Sequence, residues 1–134
     1  MPEIGATEVM VTAGYASVIL AAAYIALSKL EIGNSVIAAT LCGGFLGFTA
    51  VQIYSEGLLM FWTNHVANLT GVQVWWDLLI AVTIALFFIA PRARKVGMNV
   101  PLWTVAIITT ASIGLLAMIA RLFWLERQAA AAKA

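Results

Sequence analysis

Apolar and polar positions in this chain separate on the scale of whole helices. Val9 to Ser28 runs twenty residues without a charged side chain, Ile32 to Ser55 twenty-four, and Val96 to Ala120 twenty-five. Leu78 to Ala90 is shorter, but Val74, Trp75 and Trp76 extend it upstream. A helix needs about twenty such residues to cross roughly 30 Å of hydrocarbon at ~1.5 Å per residue. Polar residues collect between the runs, at Lys29–Asn34, Asn64–Gln73 and Pro91–Lys95. The pattern predicts an all-α integral membrane bundle of four transmembrane helices, over about 7–28, 35–63, 74–90 and 99–127, in a single membrane domain spanning 1–134.

Within the first helix Ala13, Gly14, Ala16, Ser17 and Ala21 are small, which lets helices approach closely in lipid. The second carries Gly43 and Gly47 at GxxxG spacing, a close-packing seam. Thr49, Gln52, Glu56 and Thr63 share one helical face if that helix continues to residue 63. Pro91 is read as the end of the third helix. Asn99 and Pro101 suit the first turn of the fourth.

Four crossings return both termini to one side, with the 64–73 connection and an aromatic belt of Trp62, Trp75, Trp76 and Trp124. Lys29, Arg92, Arg94 and Lys95 then face Arg121, Arg127 and Lys133 across the membrane, a margin of one. Because the basic cluster sits in a short turn, the 91–98 loop is expected in the cytoplasm and both termini outside. The acidic start, Met1 to Gly5, is unlike a secretory signal, so the first apolar run is read as a retained helix.

Composition narrows the classes. The chain is 63% hydrophobic and only 10% charged, too few charges to coat a water-soluble globule. A net charge of +1 without a long basic run argues against nucleic acid as a partner. One cysteine, Cys42, rules out an intrachain disulfide.

Candidate chemistry rests on few residues. Glu56 and Asp77 are the acids nearest the apolar runs, and ionisable groups there tend to pair, face a cavity or act on protons. With His65, Gln52 and Asn68 they would line one polar pocket as acid and base. The alternative makes each an interfacial anchor, with Asp77 offsetting a helix dipole and His65 solvated. Arg92, Arg94 and Lys95 suit anionic headgroups, a partner's acidic loop, or a topology signal. One histidine excludes two-histidine haem ligation within the chain, and no metal cluster or phosphate loop is present. No cofactor is therefore predicted. The groups that such helices suit are lipids or pigments.

Asp77-Leu78-Leu79, Ala93-Arg94-Lys95-Val96-Gly97-Met98, Ser112-Ile113-Gly114-Leu115-Leu116 and Leu125-Glu126-Arg127 carry a resemblance. Over its second half the chain resembles a family of short bacterial multi-pass membrane proteins of uncharacterised activity. The resemblance implies a fold of a few helices in a bacterial inner membrane, and no particular reaction. Three functions stand open. One is a small non-catalytic subunit packing against other membrane subunits and lipids. Another is a membrane enzyme acting on a lipid or isoprenoid through Glu56 and Asp77, and the third is an oligomeric transporter. Scarcity of polar groups favours the subunit.

Overall fold

The computed structural model describes residues 5–133 and divides the chain into two compact units, Met1–Gly33 and Asn34–Ala134. The described part is entirely helical, in six helices. The first unit holds α1, Ala6–Leu27, whose bounds fall within one residue of the sequence reading. It is apolar on every face, because no charge follows Glu8 until Lys29.

The second unit opens with α2, Ser35–Glu56, where Asn34 accepts hydrogen bonds from Val36 and Ile37 at the free amide end. The expected continuation to Thr63 fails at Gly57. Its φ of 84° and ψ of 159° fall in a region essentially restricted to glycine, so the helix stops. Thr63 belongs instead to a short α3, Met60–Val66, and no longer shares a helix face with Glu56.

The next helix, α4, spans Leu69–Lys95, longer at both ends than the expected 74–90. Asn68 caps it, accepting from the Gly71 N–H at 2.8 Å. Pro91 does not end the helix. It removes one amide donor, and the helix runs on for another turn to a glycine-dependent stop. There Gly97 has φ 76°, its N–H donates to Arg94, and the Met98 N–H donates back to Ala93. Met98 is buried beside that closure.

The largest correction concerns the fourth apolar run. Expected as one crossing helix over 99–127, it is two helices, α5 (Val100–Thr110) and α6 (Ser112–Ala131). Between them a single residue, Ala111, takes φ 49° and ψ −116°. Residues 106 and 114 of one straight helix would lie ~12 Å apart. Here a methyl group on Gly114 would stand 2.8 Å from the Ala106 carbonyl oxygen. The chain doubles back.

The far end of α6 gives the same result. Carried straight on from Val100, Glu126 would lie ~39 Å away. Instead it meets Arg92, at the end of α4, with contacts of 2.8 and 2.6 Å. The expectation of four crossings is therefore replaced by three helices long and apolar enough to cross a membrane, α1, α2 and α4, plus a helical hairpin.

Packing fixes the relative directions in the second unit. Ser35, Val36, Ala39 and Thr40 of α2 share a groove with Arg121 and Trp124 of α6. Further along, the Cys42 thiol reaches the Ile113 carbonyl at 3.5 Å. Rising numbers on one helix meet falling numbers on the other, so α2 and α6 are antiparallel. The core lies where α4, α5 and α6 meet, with Ala93, Met118 and Leu122 fully enclosed and Ile89, Val100 and Ile107 around them.

Candidate functional site

The three residues expected to form one polar pocket are not brought together. Glu56 is exposed at the end of α2, and its carboxylate accepts from Gln52, one turn back on the same helix, at 3.4 Å. His65 lies on α3, where its Nδ1–H donates to the Phe61 carbonyl and its ring meets Trp75 at 5.1 Å between centroids. The contact forms because Gly71 admits the α3 backbone. A methyl group at Gly71 would stand 2.9 Å from the Asn64 and His65 carbonyl oxygens. Asp77 is exposed one to two turns further into α4. No hydrogen bond or ion pair joins Glu56, His65 and Asp77 among the described residues. Asn68 is occupied as a helix cap. Nor do the described residues contain a cluster of His, Cys, Asp and Glu suited to a metal ion.

Gly43 and Gly47 also stand apart. A methyl group added at either would meet nothing within 4 Å among the described residues.

Charge accumulates at the opposite end of the second unit. Arg92 holds Glu126 in a two-pronged ion pair and lies 5.5 Å from the Phe123 ring centroid. Its guanidinium is committed to partners within the protein, although half-buried, whereas Arg94 and Lys95 are exposed. The hairpin brings Arg121, Arg127 and the outward-running tail with Lys133 to this same end. Every Lys and Arg of the second unit, six in all, therefore lies here, accompanied by one acid, Glu126. Glu56 and Asp77 lie away from it, Asp77 by ~22 Å along α4.

No family model, curated protein or solved structure matches the chain.

At this same end an open groove of about 600 Å³ runs between α2 and α6. Val36 and Ala39 give it apolar walls, and Ser35, Thr40, Arg121 and Trp124 give it a polar margin. The Arg121 guanidinium lies over the Trp124 ring, 4.6 Å from its centroid. Sequence reading missed this arrangement, because it placed Trp124 in one belt with Trp62, Trp75 and Trp76. The structure puts Trp124 at the Ser35 end and Trp75 at the α3 end. One signal was available: Arg121, Glu126 and Arg127 are unusual company for the apolar Leu122–Leu125 segment.

Proposed function

We propose that this chain is a small non-catalytic integral membrane subunit that packs through its helices into a larger membrane protein complex. The observation that carries this reading is how little of its apolar surface it covers itself. Among the described residues the core is confined to the α4–α6 contact and Ala38, while Val36, Leu46, Val51, Phe87, Phe88 and Ile108 all point outward. Lipid satisfies such faces, and so do neighbouring helices. Gly43 and Gly47 offer a backbone approach with open space before it among the described residues. Dispersed as they are, Glu56, His65 and Asp77 lend the enzyme reading no assembled site.

The gathered cations orient the second unit. With six at one end, the positive-inside rule places the 91–98 turn and the C-terminus together in the cytoplasm. The α5–α6 hairpin then enters from that side, turns at Ala111 about 20 Å deep and leaves by the same side. On this reading the C-terminus lies in the cytoplasm and not outside.

Gentle extraction from native membrane followed by native mass determination tests the subunit reading. Recovery in fixed stoichiometry with other polypeptides supports it, and a lone chain overturns it. A homo-oligomer would favour transport, which one observation already serves. Non-helical backbone at membrane depth is tolerated where it is buried in protein or lines a cavity, and the Ala111 turn is such backbone.

A further inference from the structure

We propose that the groove between α2 and α6 binds an anionic phospholipid. Its phosphate would lie against Arg121 and an acyl chain along Val36 and Ala39. The inference needs only that the chain sits in a membrane, and it holds whether or not the subunit reading does.

Three features point to this ligand. The groove is amphipathic in the right order, with hydroxyls of Ser35 and Thr40 and the Arg121 cation bordering apolar walls. It is open along its length, which suits a chain lying against the protein more than an enclosed soluble molecule. Its volume, about 600 Å³, is within the range of small-ligand sites.

Arg121 is suited to the headgroup. The one acid at this end, Glu126, is taken by Arg92, so Arg121 has no carboxylate partner among the described residues. Its contact with the Trp124 ring holds the cation in place without a competing carboxylate, leaving its N–H donors for phosphate oxygens. Exposed Arg94 and Lys95 at the same end add to the attraction for an anionic surface. Trp124 itself is the side chain expected at headgroup level. A neutral headgroup would leave this concentration of charge unanswered, and an acidic peptide would leave the apolar walls unused.

Native mass spectrometry of the detergent-purified chain, titrated with phosphatidylglycerol or phosphatidylcholine, tests the proposal. One phosphatidylglycerol should bind in clear preference to phosphatidylcholine. Arg121→Gln should weaken that binding about fivefold or more, the loss expected for one charge-assisted contact to phosphate. Arg94→Gln should retain most of it. Arg121→Lys keeps the charge but not the guanidinium and should fall between, a readout that survives if the glutamine variant folds poorly. Ala39→Leu narrows the groove without altering charge and should also lower occupancy. Equal binding of both lipids, or an Arg121→Gln titration matching the wild type, overturns the proposal. So does a second copy of the chain or another polypeptide seated on this face with phosphatidylglycerol excluded.

Discussion

Ala111 bears the conformational strain of the hairpin. An L-residue at φ 49° and ψ −116° brings its Cβ against the backbone, a cost of about 1–3 kcal/mol that glycine escapes. Ala111→Gly should therefore raise the thermal midpoint in detergent, by about 1 kcal/mol of stability after glycine's greater unfolded-state entropy is counted. A β-branched residue there should lower it. Nearby, the Thr110 hydroxyl donates to the Ala106 carbonyl at 2.6 Å and accepts from the Gly114 N–H at 3.0 Å, so the turn's polar groups are satisfied locally. The Arg92–Glu126 pair is the other decisive contact at this scale. Both partners are held in two-pronged geometry, but the Arg92 side chain remains 40% exposed. A double-mutant cycle with Arg92→Ala and Glu126→Ala should give a coupling of about 1 kcal/mol, nearer the surface value than the buried one. A coupling indistinguishable from zero would show that the pair does not hold α6 against α4.

At the scale of elements, glycine positions separate into those the fold uses and those it leaves open. Gly114 lies where α6 passes back over α5, and a methyl group there would meet backbone and the Thr110 hydroxyl at 2.8 Å. Gly43 and Gly47 have open space before them. Gly114→Ala should thus cost about 1–3 kcal/mol by forcing the hairpin apart, while Gly43→Ala and Gly47→Ala should leave the isolated chain's unfolding midpoint unchanged or slightly raised. Circular dichroism melts of the three purified variants decide this. The caps were legible in the sequence, since Asn34 and Asn99 stand where helices begin and accept from the amides two or three residues on. Gly57 was not read as a stop because the polar spacing of Gln52, Glu56 and Thr63 suited a continuous helix equally well.

The whole molecule differs from its sequence reading chiefly in where the C-terminus lies. In a background with Cys42→Ser, Lys95→Cys and Lys133→Cys, made singly, should react with a membrane-impermeant maleimide from the same side of sealed vesicles. Labelling from opposite sides would restore a crossing fourth helix and remove the hairpin. The charge pattern depends on the same point. Counted along four crossings, the basic residues divide four against three; with the hairpin, all six of the second unit share an end. The sequence by itself determined that this chain is helical and has membrane-spanning stretches, because hydrocarbon demands long uncharged runs with internally satisfied backbone. It also set three of the six helix starts, through the asparagine caps Asn34, Asn68 and Asn99. Only the tertiary structure decided that the last run folds on itself. Twenty-five uncharged residues read alike straight or doubled, and no glycine or proline stands at Ala111 or beside it. What distinguishes the two is contact between residues far apart in the chain, Arg92 with Glu126 and Cys42 with Ile113, which no local pattern records.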